Sequence, residues 1–239
     1  MSGHSKWNNI KRTKEKADAQ RGRIFTKLVR EISVAAKLGG PDPDINSRLK
    51  DAISKARQNN MPMDSINRAI KKAAGENDGA NYEQINYEGY GVGGSAVIVM
   101  CLTDNRNRTA GDVRHAFDKN GGSLGQTGSV SYMFNRKGVI VIEKNNLKFD
   151  DIFEFVLSND GEDLEEGDDS FVIYTLPEKF SAMLSSAEKQ GFNVVNSEIE
   201  FVPTTYVNLN PENMKSFEKM INMLEENDDV SAVYHNVEL

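Results

Sequence analysis

The sequence predicts an α+β protein in which a basic arm and a three-helix domain precede two α+β units, one of them acidic. Apolar residues recur at helical spacing between residues 24 and 75. The unbroken run Ala96-Val97-Ile98-Val99-Met100-Cys101-Leu102 has the length and the bounding turn formers of a buried strand, and strand-like and helix-like stretches alternate beyond it. At 239 residues the chain exceeds a usual single core and suggests two or three domains.

Ile24, Phe25, Leu28, Val29, Ile32, Ala35 and Ala36 share one helical face, and Gly39-Gly40-Pro41 ends that helix. A second helix follows Pro43-Asp44 with Ile45, Leu49, Ala52, Ile53 and Ala56 inward. A third opens at Met61-Pro62, buries Ile66, Ala69, Ile70 and Ala73, and stops at Gly75. The stretch Tyr82 to Tyr90 leads through Gly91-Val92-Gly93-Gly94 into the apolar strand. The helix leaving that strand is capped by Asn105 or Asn107, carries Ala110, Val113, Ala116 and Phe117 on one face, and is stopped by Asn120-Gly121-Gly122. A glycine-rich hairpin runs to Ser129, Val130, Tyr132 and Phe134 alternate as a strand, and Val139 to Ile142 form another. Helix 151–157, strand 171–175 and helix 177–190 make an acidic α+β unit, followed by strand 199–207, helix 211–226 and strand 230–237. The strand-helix-strand runs at 95–134 and 199–237 read as two halves of one ferredoxin-like domain with the acidic unit inserted between them. The expected division is an arm at 1–23, helices at 24–75, a linker at 76–81, a discontinuous α+β domain at 82–135 and 199–239, and an inserted acidic domain at 136–198.

Net charge is −7 but unevenly spread. Residues 1–75 hold 17 Lys+Arg against 7 Asp+Glu, a balance of +10, which leaves 12 against 29, or −17, for residues 76–239. Such an asymmetry suits a chain whose basic part meets polyanions; a protein-binding arm fits the composition as well. In the arm, Trp7, the sole tryptophan, stands among Lys6, Lys11, Arg12, Lys14 and Lys16, and Arg21 and Arg23 join them as candidate nucleic-acid contacts. An aromatic among cations stacks on unpaired bases while the cations hold phosphates; the plainer reading is that Trp7 anchors the arm on its own domain.

Arg106 and Arg108 flank a helix start, where free backbone N–H groups and guanidinium forks favour an anion; the alternative is that they pair with Asp104 and Asp112. Helices two and three, with Asn67, Arg68, Lys71 and Lys72 outward, admit a DNA-reading helix-turn-helix, although their connection Gln58-Asn59-Asn60 lacks the usual glycine. The glycines at 121–128 permit a phosphate cradle or an ordinary hairpin, and no Walker ending follows. The acidic run Asp160 to Asp169 lacks EF-hand spacing and reads as a solvated loop. His4, His115 and His235 are scattered, with no catalytic or zinc-ligand spacing, so an enzyme, a metal and a cofactor are not expected. The one cysteine, Cys101, lies in the apolar strand and reads as inert core in a reducing compartment. No apolar run reaches membrane-spanning length, so a cytoplasmic protein without a membrane partner is expected, as a monomer.

Gly3-His4-Ser5-Lys6-Trp7-Asn8-Asn9-Ile10-Lys11, with Asp18, Arg21, Phe25-Thr26-Lys27 and Arg30-Glu31-Ile32, resembles the YebC family. So does Leu102-Thr103-Asp104-Asn105-Arg106-Asn107-Arg108-Thr109 with Val113-Arg114, Phe117, Gly121-Gly122 and Gly128-Ser129-Val130. This chain departs from the family's habit at Thr13, Glu15 and Val92. The resemblance implies a three-domain α+β protein without catalytic activity and a gene-expression factor. Members are described as transcriptional regulators or, among mitochondrial and bacterial relatives, as translation factors acting on RNA, the ribosome and stalling-prone messages. The motif residues it carries over are Lys6, Trp7, Lys11 and Arg21 in the arm and Asn105, Arg106, Arg108 and Arg114 in the middle domain. The expected function is a non-enzymatic translation factor bound to ribosomal RNA; the alternative is a regulator of transcription on duplex DNA.

Overall fold

The computed structural model describes residues 22–75 and 82–238. The chain forms two compact units, one containing Gln20–Phe134 with Pro203–Val237 and the other containing Asn135–Val202.

The first unit begins with α1 (22–39), α2 (Ser47–Gln58) and α3 (Met63–Ala74). Their shared core includes Leu28, Ile32, Leu49, Ala56 and Ile66, which the 3.6-residue period selects, and Met61 from the turn before α3. Ile45 is an exception at 81% exposed, because it precedes the cap instead of lying in the first turn. The cap is Asn46, which is buried and joins two helix ends. Its side chain accepts from the Leu49 N–H at 3.1 Å and donates to the carbonyls of Ala35 at 2.8 Å and Gly40 at 2.7 Å. The α2–α3 connection turns through Asn60, whose φ of 57° takes the left-handed place that a glycine commonly fills.

The chain continues through β1 (Glu83–Tyr90), β2 (Ala96–Thr103), α4 (Arg106–Lys119) and β3 (Ser123–Leu124). It then forms β4 (Phe134–Glu143), α5 (Phe149–Ser158), β5 (Asp163–Glu166), β6 (Ser170–Thr175), α6 (Phe180–Lys189) and β7 (Val194–Pro203), and ends with α7 (Pro211–Glu226) and β8 (Val230–His235). The architecture is α+β, with two four-stranded sheets ordered β3-β1-β2-β8 and β5-β6-β4-β7.

In the first sheet β1 and β2 form a hairpin from Glu83↔Thr103 to Tyr90↔Ala96, and β8 runs antiparallel to β2 with a register shift between Met100 and Cys101. Val97, Val99 and Cys101 turn one face of β2 toward Val113, Ala116 and Phe117 of α4 and Phe217, Met220 and Leu224 of α7. Burial of each large side chain here contributes about 1.5–3 kcal/mol. Gly89 lets α4 approach closely, since a Cβ there would stand 2.7 Å from the Phe117 ring and 2.7 Å from the Ser123 carbonyl. Helix α4 ends at a Schellman turn, with Gly121 at φ 77° and the Gly122 N–H donating to the Phe117 carbonyl at 2.9 Å.

The β-α-β-β-α-β order of the ferredoxin-like motif is carried by the second unit, as β4-α5-β5-β6-α6-β7. The first sheet instead places a hairpin before its two helices. Strand β7 belongs to the second sheet, so the boundary expected at 199 falls inside a strand. The acidic run contains the edge strand β5, because Leu164 tucks into the second core while its acidic neighbours line the sheet edge. Residues 131–133 form a 3-10 turn in place of the expected strand, and β4 starts only at Phe134.

Replacing Asn46 by Ala removes three hydrogen bonds, the Leu49 N–H cap among them; the expected cost is about 2 kcal/mol in a urea melt that follows helix content. Burial, then the nearby Asp229 carboxylate, pushes the Cys101 thiol up to about 12. Native protein is expected to resist alkylation by iodoacetamide at neutral pH and to react once unfolded, as read by mass shift.

Candidate nucleic-acid interface

Helix α4 starts where the buried strand β2 delivers it. The Asn105 side chain accepts from the Arg108 N–H at 3.0 Å, and the Asn105 N–H donates to Thr103 Oγ1 at 2.9 Å. Asn105 is therefore the cap, and the two arginines next to it have different roles. Arg108 turns inward to Asp229, with its Nε 3.2 Å and its NH2 2.7 Å from Oδ2, and reaches Asp104 at 2.8 Å. Arg106 is exposed and makes no side-chain ion pair among the described residues. Arg114, two turns along α4, is exposed too.

Asp229 collects partners from three elements. Thr109 Oγ1 lies 2.8 Å and Thr103 Oγ1 3.2 Å from Oδ2, while Arg30 of α1 donates from NH1 to Oδ1 at 2.8 Å. The same Arg30 nitrogen reaches the Asp228 carbonyl at 2.6 Å, and its guanidinium lies 5.4 Å from the Tyr82 ring centre. The Asp229 main chain is held as well, its N–H donating to Asn227 Oδ1 and its carbonyl accepting from the Leu102 N–H, beside the register shift of β2. Burial alone raises the Asp229 carboxyl; donation from Arg108, Thr109 and Arg30 outweighs it and holds the group below the ordinary carboxylate range.

The basic face of α1 continues this dock. Lys27 Nζ donates to the Glu225 carbonyl at 2.6 Å, and Arg23 stands 3.6 Å from Glu226, so both cations meet the negative end of α7. Burial lowers the Lys27 pKa against the pull of Glu225 and Asp228. Lys27, Arg30 and Arg108 therefore serve the fold, while Arg23 makes only an exposed pair. Asp112 accepts from Asn227, and among the described residues it pairs with no arginine. Arg30 and Asp229 escape a sequence reading because each is a charged residue beside an apolar run; the closest signal was Asn227-Asp228-Asp229 between a helix and a strand.

The glycine-rich loop has an anion of its own. The N–H of Gly128 donates to Glu88 Oε1 at 2.9 Å, and those of Val130 and Ser131 donate to Oε2 at 2.9 and 2.8 Å. Glu88, buried in β1, thus occupies the cradle that a phosphate would need. Burial raises this carboxyl, and the three N–H donors outweigh it and bring it below its ordinary value. These bonds also commit residues 130 and 131 to the turn that delays β4.

Lys6, Trp7, Lys11, Arg12, Lys14 and Arg21 lie outside the described residues. Among the described residues no group of three or more His, Cys, Asp or Glu is placed to hold a metal ion, and no helix is long and apolar enough to cross a membrane.

The pattern of the TACO1/YebC protein N-terminal domain matches residues 5–76, and that of the TACO1/YebC second and third domain matches residues 82–237. This chain belongs to the TACO1/YebC family. A probable transcriptional regulatory protein of Caldicellulosiruptor saccharolyticus is 56% identical over 239 residues, covering 100% of this chain and 99% of that one. A protein of the same description from Acetivibrio thermocellus is 55% identical over 238 residues, covering 99% and 98%. The crystal structure of a conserved hypothetical protein from Aquifex aeolicus superposes with a TM-score of 0.84 at 44% identity, covering 94% of this chain and 93% of that one. This TACO1/YebC protein thus shares its whole domain plan with its relatives.

Asp229→Asn keeps the shape of the side chain but removes the charge that Arg30 and Arg108 face. It is expected to cost about 2 kcal/mol and to raise amide exchange in α1 and the first turn of α4. Since the folded-state pKa of Asp229 is depressed, its stabilisation is complete above the unfolded value of about 4 and is lost as pH falls through the folded value. The gap between wild type and D229N in urea melts is expected to narrow on acidification below that point.

Proposed function

We propose that this TACO1/YebC protein is a non-enzymatic regulator of gene expression that binds nucleic acid, and that it works as a translation factor on ribosomal RNA in the cytoplasm. The observation that carries the reading is the charge division, +10 over residues 1–75 against −17 over residues 76–239, with the only tryptophan set among the cations of the arm. The relatives' description as transcriptional regulatory proteins supports the broader class. Because Arg108 is committed to Asp229, the reading assigns phosphate contacts to Lys6, Lys11, Arg12, Lys14, Arg21 and Arg23 and to Arg106 and Arg114 on α4. Trp7 stacks on an unpaired base, and Asn105 contributes by fixing the start of α4.

One observation favours duplex DNA as a second reading. Asn60 supplies the left-handed turn between α2 and α3 that the missing glycine had argued against, and Arg68, Lys71 and Lys72 of α3 are exposed.

Sedimentation with purified ribosomes at low and moderate salt separates the two readings. The intact chain is expected to co-sediment in a salt-sensitive way, the chain lacking residues 2–23 to lose most binding, and Arg106→Ala with Arg114→Ala to lower the logarithmic salt slope by about one per lost phosphate contact. No ribosome binding by either form, together with retention of promoter duplexes that Arg68→Ala and Lys71→Ala abolish, would transfer the function to DNA.

A further inference from the structure

Helix α5 of the second unit has an apolar arc wider than the stripe by which a surface helix ordinarily meets its core. Ile152, Phe155 and Val156 enter the core. Phe149, Phe153 and Leu157, spaced four apart, remain 38%, 45% and 61% exposed. They form a stripe roughly 12 Å long beside the core-facing residues, and the first two rings stack with centres 5.8 Å apart and planes at 14°. The Phe149 ring lies 6.4 Å from the buried Phe171 ring and edges the core; Phe153 and Leu157 carry the stripe on into solvent, beyond what closes that core.

The flank of the stripe away from the core is acidic. Asp150, Asp151 and Glu154 are exposed and make no ion pair among the described residues, whereas Lys137, Lys144 and Lys179 of the same unit already face Glu162, Glu166 and Asp160. Asp150 and Asp151 also suit the first turn of a helix; Glu154, a turn further on, has no such use. Residues 135–202 hold 6 Lys+Arg against 15 Asp+Glu, a balance of −9, so the surroundings repel a polyanion and attract a cation. We infer that the Phe149–Phe153–Leu157 face of α5 is the docking site for a basic amphipathic helix of another protein, its apolar residues laid on the stripe and its Lys and Arg side chains paired with Asp150, Asp151 and Glu154. Exposed aromatics rimmed by charge are the anatomy of such a contact, in which apolar anchors supply affinity and the rim supplies orientation. This partner is a protein and is separate from the nucleic acid proposed for the arm.

The test places a photo-crosslinking amino acid at Leu157 of the full chain in cells and maps the crosslinked peptide by mass spectrometry. The expected product is a Lys/Arg-rich segment of another protein with apolar residues three or four apart. Phe153→Ser is expected to reduce its yield about tenfold, and Glu154→Lys, which leaves the stripe intact, is expected to reduce it comparably and to remove its salt sensitivity. Both positions are exposed, and unchanged circular dichroism separates loss of docking from loss of fold. Crosslinks to RNA, to this chain's own arm, to a second copy or to an acidic segment would overturn the inference, as would an unchanged yield in both variants.

Discussion

A carboxylate buried among apolar side chains must find donors or stay neutral, and in this protein that requirement at Asp229 arranges the first unit. Taking the charge out of water costs several kcal/mol. The cost is offset only when Arg30, Arg108 and Thr109 converge from α1 and the first turn of α4 on the loop between α7 and β8. The donors come from two stretches of sequence far from Asp229, so satisfying one carboxylate fixes where the helices sit against the sheet and how α4 leaves β2. The same requirement separates the two neighbouring arginines: the one that reaches Asp229 becomes structural, and Arg106 faces solvent.

Glu88 presents the same physics one strand away. Its carboxylate takes the N–H groups of a glycine-rich turn that would otherwise suit a phosphate. In both places the motif resembles an anion site because it is one, with the anion supplied by the chain. Basic and glycine-rich signatures therefore overstate the surface left for an external polyanion.

Wherever a single local rule decides the outcome, the sequence was legible. Helical period selected Leu28, Ile32, Leu49 and Ile66; the apolar run became β2; Asn105 and Gly121 bracketed α4. Failures came where distant partners decide. Ile45 fits the helical period, yet the cap at Asn46 leaves it outside. Val130 to Phe134 alternate like a strand, but Glu88, some forty residues earlier, claims their N–H groups. Leu164 turns an acidic run into an edge strand because β6 offers it a neighbour, and β7 joins the second sheet through a pairing with β4 that its own composition does not encode. At the candidate site, Asn105, Arg106, Arg108 and Arg114 were visible as a motif, whereas the opposite roles of Arg106 and Arg108 depend on an aspartate more than a hundred residues away.

The return of the chain to its first sheet also sets an order of assembly. Strand β2, the most apolar segment, has β1 on one side as soon as the hairpin closes, but its other neighbour, β8, is synthesised only after the whole second unit. During that interval the growing polypeptide carries an unpaired hydrophobic edge, and Arg30 and Arg108 lack the aspartate that will neutralise them. The nascent chain thus passes through a stage in which its most aggregation-prone strand is open and its internal cations are free. A chaperone or the ribosome surface has most to shield at that moment, and completion of the last strand ends both exposures together.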